Sequence, residues 1–149
     1  MSTEKALETL ENVRQNIRSH LTEGVKNRHS DFRTFTFCTS GSMPTGRTVV
    51  LRGYDSEKKI ITLHSNYYAE KIEQLKINNE VCCVFYSKSK KIQIRCFGNA
   101  TINHGNEKSS HAWKNMSDMS KECYFQTPNP GSSISKYNDC LLYTSDAAD

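Results

Sequence analysis

The feature that most constrains this chain is a short apolar run with an arginine at each end, at residues 47–52. Its interior, Thr-Val-Val-Leu, is rich in β-branched residues and is typical of a strand with a buried face. Because arginine stays charged at physiological pH, a buried strand that carries Arg47 and Arg52 predicts an anion beside it. The alternative is that both arginines are surface residues at the ends of the strand.

The spacing of the two arginines complicates this prediction. Arg47 and Arg52 lie five positions apart, so their side chains would leave a regular strand on opposite faces. Three arrangements remain open. Arg47 could lie where the chain leaves a turn, the two side chains could contact different parts of one ligand, or they could serve a site between subunits.

Groups that suit an anion recur downstream at Ser65, Lys71 and Gln93. Ser65 ends a predicted strand, and the helix expected after it would direct free backbone N–H groups toward that junction, with Lys71 one turn further on. This set predicts a ligand that bears phosphate. The amide of Gln93 suits the edge of a heteroaromatic ring, although its position on the polar face of a strand equally predicts exposure to solvent.

The hydrophobic periodicity predicts an α+β fold that is mainly β. An amphipathic helix is expected over residues 4–27, capped by Ser2 or Thr3, followed by a small barrel over about residues 30–104 and by a helix and loop over residues 107–135. The predicted strands cover residues 32–39, 47–54, 59–65, 81–86 and 91–102, the first three as an antiparallel meander. The two further helices are expected over residues 67–78, capped by Asn66, and over residues 111–124.

Length and composition bound the class of protein. The chain has 149 residues, of which 36% are hydrophobic and 24% charged, and these values are typical of one globular domain, assigned here to residues 1–139. The N-terminus has no apolar stretch of a secretory signal, and no run approaches the length of a membrane span. We therefore expect a cytoplasmic protein that does not enter a membrane.

Cysteine usage agrees with that compartment. The chain has six cysteines, none in a Cys-x-x-Cys pair and none at zinc-ligand spacing to histidine, so no metal site is predicted. Most lie in apolar, strand-like runs, where cysteine behaves as a small hydrophobic residue. Reduced structural thiols are the favoured interpretation, and a disulfide scaffold is the weaker one.

A basic cluster of Lys88, Lys90 and Lys91 raises the question of nucleic acid. The net charge of +4 is only mildly basic, and Tyr86 is the one aromatic residue adjacent to the cluster. A solvated hairpin tip explains the cluster better, so no nucleic-acid partner is predicted. A basic nucleic-acid-binding barrel is kept as the minor alternative.

Taken in order, these motifs resemble a known family. Arg-x-Val-Val-Leu-Arg at residues 47–52, Leu-His-Ser at 63–65, Lys71 six residues after Ser65, and Gln-x-Arg-x-x-Gly at 93–98 resemble the FMN-binding split barrel of the pyridoxamine 5'-phosphate oxidase family. The resemblance covers roughly residues 30–135. Trp113 with Ser117, and Pro130 with Gly131, are similar to a branch known mainly for FMN binding.

The resemblance implies a homodimer with FMN at the subunit interface, acting as a flavin-dependent oxidoreductase on an unidentified small molecule. Residue by residue, it implies that the cofactor-binding positions are Arg47, Val50, Leu51, Arg52, His64, Ser65, Lys71 and Gln93. Lys71 falls on the family's phosphate-binding lysine, and Gln93 on a glutamine that contacts the flavin from the partner subunit. Two positions depart from the family: Glu70 stands where a basic residue is usual, and Arg52 where lysine is usual.

The substrate side departs further from the family pattern. The true oxidases hold pyridoxamine phosphate with Tyr, Arg and Ser at intervals of four residues, whereas the corresponding region, residues 111–121, contains no arginine. The resemblance therefore supports FMN binding more than oxidation of vitamin B6, and it names no catalytic residue. A non-catalytic flavin, haem or deazaflavin binder on the same barrel remains the alternative.

The last ten residues, 140–149, are similar to a translated sequencing-library adapter. We therefore expect the natural sequence to end near Asp139, with Cys140 excluded from the natural thiols. A split barrel of six strands would then need a closing strand after the loop at Pro130 and Gly131. The expected fold is a split barrel that is truncated at its C-terminus.

Overall fold

The strands divide between two antiparallel sheets. The computed structural model describes residues 9–125, 129–130 and 132–133. Its strands are β1 Thr34–Ser40, β2 Pro44–Val50, β3 Gly53–Asp55, β4 Ile60–Thr62, β5 Glu80–Ser87 and β6 Ile92–Asn99. The larger sheet has the order β2-β1-β5-β6, and β3 pairs with β4 in the smaller one. This mixed architecture confirms the predicted α+β split barrel.

The predicted meander is wrong at one point, because the second predicted strand breaks between Val50 and Gly53. β2 pairs with β1, whereas β3 pairs only with β4, in the other sheet. The side chain of Leu51 is fully buried in the core at this break. Its N–H donates to the Arg33 carbonyl (2.8 Å), and the N–H of Arg52 donates to the Thr62 carbonyl (2.9 Å). The two backbone bonds direct the chain from one sheet to the next.

The helices also differ from their predicted bounds. They are α1 Leu10–Lys26, α2 Glu70–Ile77, α3 Glu107–Asn115 and α4 Asp118–Glu122, followed by a 3₁₀ turn at Cys123–Phe125. The side chain of Thr9 caps α1, while the predicted caps Ser2 and Thr3 lie outside the described residues. Asn66 does not cap α2 but accepts from the N–H of Tyr68 in the preceding turn.

The third helical segment, predicted as one helix over residues 111–124, is broken into two. Met116 takes an extended conformation after α3, and the side chain of Ser117 caps α4 by accepting from the N–H of Ser120. Serine at such a position competes for backbone hydrogen bonds and favours a new helix start over continuation of the old one.

The register of the larger sheet assigns each strand residue to one of two faces. Residues that pair across antiparallel strands share a face, so one inner face can be followed through all four strands. Its members are Phe35, Phe37, Thr39, Thr45, Arg47, Val49, Cys83, Phe85, Ser87, Ile92, Ile94 and Cys96. Most of these are buried or half-buried, and the opposite face is largely open in this single chain.

The inner face packs into a core that α1 covers. Phe35 stacks on Phe85 with ring centroids 4.6 Å apart, and Leu21 of α1 joins the same cluster. The Arg33 guanidinium donates to the Val25 carbonyl at the end of α1 (2.8 Å) and to the Leu51 carbonyl (3.3 Å). A cation at a helix C-terminus is favourable, so this arginine fixes α1 to the strand break.

The cysteines of the larger sheet face each other in pairs across neighbouring strands. Cys82 lies opposite Cys38 on the outer face, and Cys83 lies opposite Cys96 on the inner face. All four are free thiols, as is Cys123. Burial, with smaller contributions from the neighbouring thiols, raises the pKa of Cys83 to about 12, so this thiol is a packing residue.

Three predictions concern parts of the chain that the structure does not describe. Residues 140–149, and any closing strand after the Pro130 loop, lie outside the described residues. Within the described residues, no helix is both long and apolar enough to cross a membrane. The assignment of residues 1–139 to one domain stays a prediction.

Candidate functional site

Arg47 lies on the inner face of β2, opposite Phe37, and its guanidinium is held by neutral oxygens. Nη1 donates to the Phe37 carbonyl (3.1 Å) and to Oγ1 of Thr39 (2.7 Å). Nη2 donates to Oγ1 of Thr45 (2.9 Å) and makes a long contact with Oε1 of Gln74 (3.5 Å). No carboxylate in the described part of the chain pairs with Arg47. The guanidinium is fixed, and its charge is not neutralised.

Lys71, the second residue of α2, adds a second cation beside it. The lysine is half-buried, and burial first and the Arg47 charge second lower the pKa of its ammonium. Among the residues that the structure describes, no side chain forms a hydrogen bond or ion pair with Lys71. A desolvated ammonium next to a guanidinium, with no anionic partner, favours the binding of an anion.

An arginine and a histidine lie together at the strand break. The Arg52 charge lies near His64, and burial, followed by that charge, lowers the pKa of the half-buried imidazole. Nδ1 of His64 is buried and has no hydrogen-bond partner in the described structure. Because buried polar atoms are nearly always satisfied, this atom is available to form a hydrogen bond with a ligand.

The other predicted positions near the break are placed as follows. The hydroxyl of Ser65 donates to the Asn66 carbonyl (3.0 Å), which leaves its lone pairs free to accept. Val50 is half-buried at the end of β2. Leu51 is fully buried, so only backbone atoms of this residue could approach a ligand.

Gln93 is not brought to this site within one chain. It lies on β6 opposite Tyr86, and its side chain is exposed on the outer face of the sheet. β6 and β2 are the two opposite edges of that sheet. Gln93 and Arg47 therefore lie on opposite faces and at opposite edges, and a single copy of the chain cannot unite them.

Sequence reasoning missed several polar residues around the site. Thr39, Thr45 and Gln74 surround the Arg47 guanidinium. Tyr124, in the 3₁₀ turn, lies near Arg52, whose charge opposes the rise in pKa that burial imposes on the phenol. The sequence contains one signal for them. Thr39 continues the alternation of Phe35 and Phe37, whose side chains point inward, so the pattern predicts a polar side chain at a buried position.

The two-sheet fold and the uncompensated charges of Arg47 and Lys71 define a split-barrel protein with a cationic site. The family model described as "Pyridoxamine 5'-phosphate oxidase, FMN-binding domain" matches residues 11–104, and the chain belongs to this family. No curated protein matches the chain.

Two solved structures share the fold at low sequence identity. One is a pyridoxamine 5'-phosphate oxidase-related FMN-binding protein from Nostoc punctiforme PCC 73102, with 18% identity and a TM-score of 0.65, over 86% of this chain and 70% of that one. The other is PhzG from Burkholderia lata 383 in complex with tetrahydrophenazine-1-carboxylic acid, with 14% identity and a TM-score of 0.66, over 99% of this chain and 72% of that one.

The residues present fit the cofactor that the family name implies. A phosphate monoester is held by cations and hydroxyls, and Lys71, Arg47 and Ser65 supply such groups. The unpartnered Nδ1 of His64 offers a further polar contact at the strand break. The donor chemistry therefore suits FMN, whose phosphate would supply the charge that the site lacks.

Proposed function

We propose that this chain binds FMN and acts as a flavin-dependent oxidoreductase on a small molecule that is still to be identified. The observation that carries the proposal is Lys71, a half-buried ammonium with Arg47 beside it and no anion within the described structure. Burial and a like charge both oppose the charged lysine, and a phosphate dianion would reverse both effects. The family's FMN-binding domain supports the same ligand.

In this proposal the remaining residues surround the flavin rather than its phosphate. Arg52 and His64 would lie by the ring system, with the backbone of Val50 and Leu51 beside them. Because its pKa is lowered, His64 is neutral at neutral pH and can hold a proton on one ring nitrogen while the other accepts. The bound flavin would supply the electron-transfer chemistry, and the chain would supply binding and electrostatics.

We propose further that the active form is a homodimer with FMN at the interface. The support is geometric: Gln93 lies on the outer face at the far edge of the sheet from Arg47, so only a second copy could bring it to the same ligand. The outer face also exposes Phe97 and Tyr86, which are 73% and 57% accessible. Large exposed apolar side chains of this kind favour a protein interface.

The substrate is a small molecule other than a vitamin B6 phosphate in this proposal. The region that corresponds to the substrate-binding tyrosine, arginine and serine of the true oxidases, residues 111–121, contains no arginine, and α3 exposes the side chains of His111 and Asn115 there. The Asn115 amide contacts the His111 ring nitrogens at 3.1 and 3.2 Å and donates to the His111 carbonyl at 3.0 Å. This pair provides no guanidinium for a substrate phosphate.

The test compares Lys71→Met with Lys76→Met. Both changes remove one positive charge from α2, but Lys76 pairs with Glu73 at the surface (2.7 Å). Titrations with FMN and with riboflavin, which lacks the phosphate, should show FMN affinity about tenfold or more weaker in Lys71→Met, riboflavin affinity unchanged, and Lys76→Met equal to wild type.

Two results would contradict the proposal. Wild-type protein that binds no flavin, or that is purified with the Soret band of haem, would exclude FMN as the ligand. Equal FMN affinity in the two lysine variants would exclude Lys71 as the phosphate contact. Strongly salt-dependent binding of single-stranded oligonucleotides with no chromophore would favour the minor nucleic-acid alternative.

A further inference from the structure

Gln74 is the residue on which the contacts around Arg47 converge. It lies on α2, one turn after Lys71, and is 9% exposed. Its Oε1 accepts from Oγ1 of Thr39 (2.5 Å) and from Oγ1 of Thr45 (3.0 Å). Those hydroxyls in turn accept from the Arg47 guanidinium. Two hydrogen-bonded routes therefore run from the guanidinium to one amide oxygen.

The hydrogen-bond donors around it fix the orientation of the Gln74 amide. If the amide were flipped, Nε2 would face the Arg47 guanidinium and Oε1 would face the Glu70 carboxylate, so a donor would meet a donor and an acceptor would meet an acceptor. In the observed orientation Nε2 donates to the carboxylate of Glu70 (3.3 Å), one turn earlier on α2. Gly41 leaves room for the side chain, since a Cβ there would lie 3.1 Å from Cγ of Gln74.

The acceptors around Arg47 are all neutral. Buried arginines are usually paired with a carboxylate, which cancels their charge. Here two threonines, a backbone carbonyl and the Gln74 amide accept the hydrogen bonds that a carboxylate would accept, but they add no negative charge. The exposed carboxylate of Glu70 contacts Gln74 and forms no ion pair with Arg47 or Lys71. The positive charge of the site is thus left for an outside anion.

We propose that Gln74 is a positioning residue that orients Arg47 through Thr39 and Thr45 while keeping the site selective for a phosphate monoester dianion. The inference rests on the proposed function, and it adds the reason why this position carries an amide. A carboxylate at residue 74 could accept the same hydrogen bonds, but it would form an internal ion pair and compete with the ligand.

The test is Gln74→Glu, which keeps the shape and the acceptor and adds one negative charge. We expect the variant to fold, because the carboxylate partner gained by Arg47 offsets the repulsion between residue 74 and the Glu70 carboxylate that the Gln74 amide contacts. FMN affinity should fall about tenfold or more while riboflavin affinity stays the same. Gln15→Glu, on the exposed face of α1, makes the same charge change and should leave both affinities unchanged.

A pH profile tests whether a charge at residue 74 acts on the cations of the site. FMN affinity should decline with rising pH as Lys71 loses its proton, and a carboxylate nearby raises the pKa of an ammonium. The decline should therefore begin at higher pH in Gln74→Glu than in wild type. An unchanged profile would show that this charge does not reach Lys71 and would contradict the selectivity inferred for the Gln74 amide.

The outcomes distinguish the two proposals. If wild type binds FMN through Lys71 but Gln74→Glu binds it equally well, the inference about Gln74 is wrong and the proposed function stands. If wild type binds no FMN, the proposed function fails. The Lys71 pKa measured by NMR then still tests Gln74, because a pKa that is the same in wild type and in Gln74→Glu would overturn the inference that a neutral amide at residue 74 preserves the charge of the site.

Discussion

At the scale of single residues, the site is marked by groups whose requirements the chain itself does not meet. The Lys71 ammonium lacks an anion, and Nδ1 of His64 lacks a hydrogen-bond partner in the described structure. By contrast, Asp31 elsewhere in the fold accepts from the hydroxyls of Ser87 (2.6 Å) and Ser89 (2.7 Å), which lower its pKa. Polar groups with partners, such as Asp31, stabilise the scaffold. Polar groups without partners, such as Lys71 and Nδ1 of His64, mark the proposed ligand site.

The lowered pKa of His64 predicts a pH dependence of stability. An unfolded chain protonates this imidazole near the ordinary value of about 6.5, whereas the folded protein does so only at lower pH. The free energy of unfolding should therefore fall as pH decreases from about 6.5 toward the folded-state value, and it should not change further below that value. Urea unfolding of the flavin-free protein across this range measures the effect.

The variant His64→Gln should lose this part of the pH dependence. His29→Gln, at an exposed imidazole, serves as the control and should retain it. An unchanged slope in His64→Gln would show that the burial of this imidazole is not coupled to folding.

At the scale of elements, the break at residues 51–52 removes the difficulty that two arginines five positions apart would point to opposite faces of one strand. Arg47 belongs to β2 in one sheet, and Arg52 precedes β3 in the other, so the alternation of one regular strand does not apply to the pair. The sequence could not show the break, because a buried leucine is as compatible with the interior of a strand as with a break between two strands.

The contact between α1 and the chain after it gives a second prediction. A Cβ at Gly24 would lie 2.8 Å from the backbone carbon of Phe32, so the helix can approach only because this residue has no side chain. Although alanine has the better helix propensity by ~1 kcal/mol, Gly24→Ala should destabilise the fold by ~1–3 kcal/mol through this overlap.

Denaturant unfolding measures the effect of Gly24→Ala, with Gly98→Ala as its control. A Cβ at Gly98 meets no atom within 4 Å, so that substitution should change the unfolding free energy by less than ~0.5 kcal/mol. Equal stability of the two variants would mean that α1 can shift away from Phe32 without cost.

At the scale of the whole molecule, one chain carries the two halves of the proposed flavin site on two separate surfaces. Arg47 lies on the inner face of β2 with Lys71 near it, and Gln93 lies on the outer face at the opposite edge of the sheet. The same outer face carries Phe97, with the Arg95 guanidinium over its ring at 5.8 Å from the centroid. A two-fold dimer could complete two such sites at once.

The proposed dimer predicts that Phe97→Glu lowers both self-association and FMN affinity. A carboxylate on this face would be desolvated in the interface, so sedimentation velocity should show a shift from dimer to monomer. Ile77→Glu alters another exposed apolar residue, at 85% accessibility and off the sheet, and should remain dimeric. Wild-type protein that is monomeric when saturated with FMN would contradict the dimer.

The sequence by itself determined the types of the elements, the mainly β fold and the family, because periodicity and ordered motifs are local properties of the chain. The sequence also identified Lys71 and Arg47 as cations that are expected to bind an anion. Only the tertiary structure decided that the second strand divides between two sheets and that Gln93 lies apart from the other predicted residues. Only the tertiary structure revealed Gln74 and the threonines around Arg47, since these contacts join residues up to 35 positions apart. Burial and the absence of a partner depend on every neighbour in space, and no local pattern contains that information.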